Sequence, residues 1–162
     1  MGRTGRSVRL RGIRSCECYP PTFSCRRHTQ VALSTIRPLI AIVDDEESIR
    51  RALGRLVRAA GLEARTFCCG GEFLDAVKDH PFDCVILDVH MPQVSGFDVQ
   101  ESLTRVGANI PVVVITGRDS EETHARVMAG GAVAYLRKPV DETALLSALN
   151  AAVITGRGER AK

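Results

Sequence analysis

Five short apolar runs, rich in β-branched residues and separated by stretches of helix length, constrain this 162-residue chain more than any other feature. The runs cover 39–43, 63–67, 84–87, 112–115 and 132–136. The first, third and fourth are almost wholly apolar, as strands are when both faces of a parallel sheet are covered. The second, Glu63 to Phe67, is weaker. Between and after these runs the periodicity becomes helical, over about 48–60, 71–78, 97–106, 120–128 and 142–153. In the first of these, Ile49, Leu53, Leu56 and Val57 share one face, and Arg50, Arg51, Arg55 and Arg58 lie largely on the other. Gly61, Gly107 and Gly130 stand where helix C-termini are expected. Strict β-α alternation with right-handed crossovers gives an α/β fold, a doubly wound (βα)5 parallel sheet.

The formal charge of +3 conceals a division. Residues 1–38 carry eight arginines against Glu17, and the remainder is mildly acidic. An acidic body argues against direct nucleic-acid binding by the folded part. Residues 1–38 also lack periodicity and mix Arg, Gly, Ser and Pro20-Pro21, which reads as a disordered basic extension. The folded domain is expected over 39–155, with 156–162 as a C-terminal tail. No apolar stretch approaches membrane-spanning length, and no export signal is evident. The six cysteines do not form the framework of a small secreted protein, so a reducing, cytoplasmic location is expected. Cys16, Cys18, Cys25 and His28 have a spacing that matches no standard zinc pattern.

In an open parallel sheet, sites form beyond the carboxyl ends of the strands. Asp44-Asp45-Glu46-Glu47 follows the first run. Asp88, His90-Met91-Pro92 and Gly96 follow the third, Thr116-Gly117 the fourth, and Lys138-Pro139 the fifth. Clustered carboxylates need a cation, and hard oxygen ligands with room for water favour Mg²⁺. A hydroxyl and an ammonium beside them supply donors for an anion. Together these make a phosphoryl-transfer site in which a carboxylate can itself attack phosphorus. The acidic quartet could alternatively be a helix first turn favoured by the macrodipole, a reading retained for Glu46 and Glu47.

The patterns Val43-Asp44-Asp45, Leu87-Asp88-Val89-His90-Met91-Pro92 with Gly96, Ile115-Thr116-Gly117 and Leu136-Arg137-Lys138-Pro139 resemble the receiver domains of two-component response regulators. The resemblance covers nearly all of 39–155. It implies a flavodoxin-like, CheY-like fold with strand order 2-1-3-4-5. It makes Asp88 the phosphoacceptor. Asp44, Asp45, Asp88 and the backbone carbonyl of His90 become the Mg²⁺ site, with Asp44 acting through water. It has Thr116 and Lys138 bind the phosphoryl group and Tyr135 act as the aromatic switch. The Lys138–Pro139 bond is expected to be cis. The implied partners are a sensor histidine kinase or phosphotransfer protein, a downstream protein, and a homodimer formed on phosphorylation. The implied activity is that of a switch which catalyses only its own phosphotransfer and dephosphorylation.

Among the remaining residues, the His90 side chain is tempting as a base, although the family varies there. Arg118 is expected to shield the site and tune phosphoryl lifetime. Cys69 replaces the usual Ser N-cap before the second helix, so the capping box with Glu72 should be poorly made. Few residues follow the fifth helical stretch, which favours a single-domain regulator signalling through the face of the fourth helix, fifth strand and fifth helix. The first alternative is the receiver part of a DNA-binding transcription regulator. The stretch from Thr116 through Ala129-Gly130-Gly131-Ala132 to Lys138-Pro139 resembles such proteins. The second is a phosphatase of the haloacid dehalogenase kind. Those lead with Asp-x-Asp on the first strand, whereas Asp44 and Asp45 are adjacent and Asp88 would have no role.

Overall fold

The computed structural model describes residues 37–160. The readings for the basic extension and for Cys16, Cys18, Cys25 and His28 lie outside the described residues. The elements alternate without exception: β1 (Leu39–Val43), α1 (Glu47–Ala59), β2 (Glu63–Phe67), α2 (Gly70–Ala76), β3 (Cys84–Asp88), α3 (Gly96–Arg105), β4 (Val112–Thr116), α4 (Glu121–Ala129), β5 (Ala132–Arg137) and α5 (Glu142–Arg160). The strands form one parallel sheet in the order β2-β1-β3-β4-β5, as expected.

Alternate residues of each strand point to opposite faces, and the sheet is covered on both. Ile40, Ile42, Cys84, Ile86, Val113 and Ile115 meet Leu53 and Val57 of α1 and Leu145 and Leu149 of α5. Ala41, Val43, Val85, Leu87, Val112 and Val114 face α2, α3 and α4, where Phe73, Val99, Leu103 and Val127 cover them. β3 and β4 are buried along their whole length, which explains their continuous apolar sequence. β2 is an edge strand with an exposed, polar pattern, and its one fully apolar anchor is Phe67. Phe67, Phe73 and Phe82 pack edge-on or tilted, with ring centroids 5.5–5.8 Å apart. Burying a side chain of this size contributes about 1.5–3 kcal/mol.

Gly130 is the C-cap of α4, as expected, and Gly131 after it takes the left-handed conformation at φ +85°. The end of α5 differs from expectation. The pattern places α5 at 142–153 and a tail from 156, but the helix continues to Arg160. Gly156 passes so close to Pro111 that a Cβ there would lie 2.8 Å from the ring. Beyond it, the Arg157 guanidinium pairs with Asp83 at 3.2 Å. Packing therefore overrides the low helix propensity of Gly156 and Gly158.

The helix starts follow side-chain chemistry. Ser95 and Asp98 form a reciprocal capping box at α3. The Ser120 hydroxyl accepts from the Thr123 N–H at α4. Cys69 at α2 has extended N-cap geometry but makes no side-chain cap bond. Glu72 reaches back instead to the Cys68 N–H at 3.2 Å. Cys69→Ser is therefore expected to complete the cap and raise stability by about 0.5–1 kcal/mol, read as a higher denaturant midpoint at unchanged m. A midpoint equal to or below wild type would show that the cap cannot form.

Candidate functional site at the carboxyl edge of the sheet

Sheet register delivers the site. Val43 pairs with Leu87, Asp88 with Ile115, and Thr116 with Arg137, so the carboxyl ends of four strands are level. Asp44 and Asp45 follow β1 directly, Asp88 ends β3, Thr116 ends β4, and Lys138 follows β5. The Lys138–Pro139 peptide bond is cis, as expected. Close backbone approach shapes the loop after β3: a Cβ on Gly96 would sit 2.5 Å from the Asp88 carbonyl oxygen.

Asp44, Asp88 and Thr116 are buried, Lys138 is nearly so, and Asp45 is exposed. The Lys138 ammonium lies 2.7 Å from Asp44 Oδ2 and 2.8 Å from Asp88 Oδ2, with Glu46 Oε1 at 3.7 Å. It donates an aligned hydrogen bond to Asp88. It also contacts Asp44 Oδ2 at ion-pair distance, so the two carboxylates share it. Asp44 Oδ1 accepts from the Glu46 N–H at 2.8 Å. The His90 N–H donates to Asp88 Oδ1 at 3.1 Å.

The electrostatics follow from this crowding. Burial pushes the Asp44 carboxyl above its ordinary value, and Lys138 and the Glu46 N–H only partly oppose it. Burial draws the Lys138 ammonium down, but Asp44 and Asp88 outweigh it and leave Lys138 above its usual value. One ammonium serves two buried carboxylates and the nearby Glu46, so the pocket remains short of positive charge. Asp44, Asp45 and Asp88 each offer an oxygen, and these atoms lie within 4.8 Å of one another. An all-oxygen donor set with an exposed third carboxylate suits a small hard divalent cation.

Around this centre lies a cleft of about 370 Å³ lined by Asp45, Glu46, Asp88, His90, Gly117, Arg118 and Lys138. The Thr116 hydroxyl donates to the Arg118 carbonyl at 3.0 Å and accepts from the Arg118 N–H at 3.1 Å. His90 Nδ1 lies 3.1 Å from the same oxygen. Which of the two donates in this pair depends on the imidazole tautomer. Tyr135 is half-buried. Its hydroxyl donates to Asp119 Oδ1 at 2.9 Å, and its ring meets His124 edge-on at 4.9 Å. Burial first, and then Asp119, push the Tyr135 phenol up to about 12.

The structure thus gathers Asp44, Asp45, Asp88, Thr116 and Lys138 into one site with the His90 loop beside it. Tyr135 lies further out on β5. Three participants carried no signal in the sequence. Arg50 of α1 donates to the carbonyls of Asp44 and Asp45 at 2.7 and 2.8 Å, which fixes the acidic loop from behind. Glu46, assigned to a helix first turn, also approaches Lys138. Asp119 ties the loop after β4 to β5. Helical spacing suggests that Arg50 belongs to a solvated face, and only the path of the β1–α1 loop brings it to those carbonyls.

Comparison with known proteins agrees with this arrangement. The sequence model of the response regulator receiver domain matches residues 40–150. Response regulator protein TodT of Pseudomonas putida is 36% identical over 138 residues, covering 83% of this chain and 59% of that protein. Nodulation protein W of Bradyrhizobium diazoefficiens is 37% identical over 133 residues, covering 82% and 57%. Among solved structures, response regulator StyR aligns with TM-score 0.70 and 37% identity, over 76% of this chain and 63% of that one. A receiver protein from Burkholderia phymatum aligns with TM-score 0.65 and 40% identity, over 72% and 95%. The chain spans little more than half the length of the curated relatives it matches. Fold, strand-end constellation and relatives agree: the chain belongs to the response regulator receiver family of two-component systems.

Proposed function

We propose that the chain is a phosphoacceptor switch, taking a phosphoryl group on Asp88 and turning over no external substrate. The observation that carries this reading is a buried carboxylate, Asp88, held 2.8 Å from a nearly buried ammonium at the mouth of a polar cleft. Receivers of this family interact with histidine kinases or phosphotransfer proteins, and the donor here would be a phosphohistidine of such a partner. An Asp88 oxygen attacks phosphorus, the P–N bond of the donor breaks, and its electron pair returns to the imidazole nitrogen. Asp44, Asp45, Asp88 and the His90 carbonyl would hold Mg²⁺, which when bound offsets the charge of the carboxylates and the phosphoryl oxygens. Lys138 moves its hydrogen bond from carboxylate to phosphoryl oxygen. Thr116 leaves the Arg118 peptide to donate to another.

With Mg²⁺ and acetyl phosphate the protein is expected to gain one phosphoryl group that is stable in acid and labile in base. EDTA should suppress the gain. Uptake unimpaired in EDTA would remove the cation from the scheme.

The output leaves through α4, β5 and α5, which carry the exposed apolar residues Met128, Val133 and Ile154. Such side chains suit a protein partner, either a downstream target or a second phosphorylated copy. Beryllofluoride should shift the solution mass toward a dimer if the second copy is the partner.

The relatives support a second reading for the whole protein. They include transcriptional regulatory protein TdiR of Thauera aromatica, 36% identical, of which this chain covers 52%. In that reading the chain is the receiver of a DNA-binding regulator. The length of the natural polypeptide on an immunoblot distinguishes the two.

A further inference from the structure

We propose that Asp119 is the positioning residue that holds Tyr135 in its resting place and yields it when Thr116 moves; the link to Thr116 rests on the phosphoacceptor reading above. The loop between β4 and α4 begins with only three residues before its Ser120 cap: Gly117, Arg118 and Asp119. One end of it is bound to Thr116, whose hydroxyl both donates to and accepts from the Arg118 peptide. The adjacent residue binds the other partner. Asp119 Oδ1 accepts the Tyr135 hydroxyl at 2.9 Å, and Asp119 Oδ2 pairs with Arg137 Nε at 3.0 Å. Tyr135 and Arg137 lie two residues apart on β5, so one carboxylate grips two neighbours on the same side of the strand.

The strands cannot carry the motion. Thr116 and Arg137 are paired across the sheet, and the Lys138 N–H donates to the Thr116 carbonyl at 2.8 Å. Movement of the Thr116 hydroxyl toward a phosphoryl group on Asp88 therefore falls on its side chain and on the loop. It breaks both bonds to Arg118 or draws that peptide along, and Asp119 is the next residue. Tyr135 in turn cannot rotate without giving up its bond to a carboxylate. His124 closes over the ring from α4, so a released ring would change the surface of α4 and β5 together.

Three variants separate the parts. Asp119→Ala removes both contacts. Asp119→Asn keeps an acceptor for the Tyr135 hydroxyl and loses the ion pair. Arg137→Ala loses the ion pair alone, which at its exposed position contributes little. In the unphosphorylated full chain, the Tyr135 ring resonances should shift and broaden in Asp119→Ala and stay near wild type in the other two. By reciprocity of linked equilibria, Asp119→Ala should bind beryllofluoride about three- to tenfold more tightly, with stoichiometric phosphoryl uptake retained. Asp119→Asn and Arg137→Ala should remain within about twofold of wild type.

Wild-type ring resonances in Asp119→Ala would overturn the assignment. Equal tightening in Asp119→Ala and Arg137→Ala would also overturn it, since charge rather than the bond to Tyr135 would then be at work. Should no chain, wild type included, take beryllofluoride or phosphoryl, the reading of Asp88 fails. The ring resonances of the unphosphorylated chains still decide whether Asp119 holds Tyr135.

Discussion

Asp88→Asn is expected to abolish phosphoryl uptake from acetyl phosphate while leaving the fold intact. The amide matches the carboxylate in shape, so the end of β3 and its pairing with β4 need not change. Its oxygen is a far weaker nucleophile than a carboxylate oxygen, and nucleophilic attack is the step assigned to Asp88. The amide oxygen can still accept from Lys138 or from the His90 N–H, but its NH₂ must then face the other donor. Removing one of two buried carboxylates also relieves like-charge repulsion, which offsets that mismatch. The variant should therefore melt near wild type and show no gain of mass. Retained uptake would mean that another residue receives the phosphoryl group.

Lys138→Ala is expected to cause the largest loss of stability among the site variants. The Lys138 side chain is 13% exposed, and its ammonium is the one cation within salt-bridge distance of Asp44 and Asp88 among the described residues. Removing one partner of a buried ion pair typically costs about 3–5 kcal/mol, because the remaining charges stay buried without compensation. Protonation of Asp44, whose pKa burial already raises, limits the loss. A fall in melting temperature on the order of 10 °C in EDTA is expected. Mg²⁺ should then restore more stability in Lys138→Ala than it adds to wild type, since it would supply the missing positive charge. Equal melting of the variant and wild type in EDTA would show that Lys138 contributes nothing net to the resting fold.

The strands were legible because burial on both faces leaves β1, β3 and β4 no polar positions before their carboxyl ends. The switch from apolar residues to Asp44, Asp88 and Thr116 marks where each strand leaves the core. That edge is also where the chemistry lies, so Asp44, Asp45, Asp88, Thr116 and Lys138 could be named from local context. The end of α5 was not legible. Gly156 and Gly158 look like breakers, and the contact of Gly156 with Pro111 joins residues far apart in sequence. The same limit hid Arg50, whose guanidinium turns back over the β1–α1 loop, and Asp119, whose partners lie on β5. The contact of the His90 ring with Thr116, made across two loops, was equally hidden. Side-chain hydrogen bonds between loops have no periodicity, so only the folded arrangement reveals them.

The most direct test of the central claim is chemical mapping of the phosphoryl group. Protein treated with acetyl phosphate and Mg²⁺ is reduced with borohydride, which converts an aspartyl phosphate to homoserine. The chain is then digested and sequenced by fragment mass. Trypsin places Asp88 in the peptide 79–105 together with Asp79, Asp83 and Asp98, so the fragment ions must resolve the position. Homoserine at position 88 alone, absent when EDTA replaces Mg²⁺, is the expected result. Homoserine at Asp44, Asp45 or any other aspartate, with Asp88 unchanged, would contradict it.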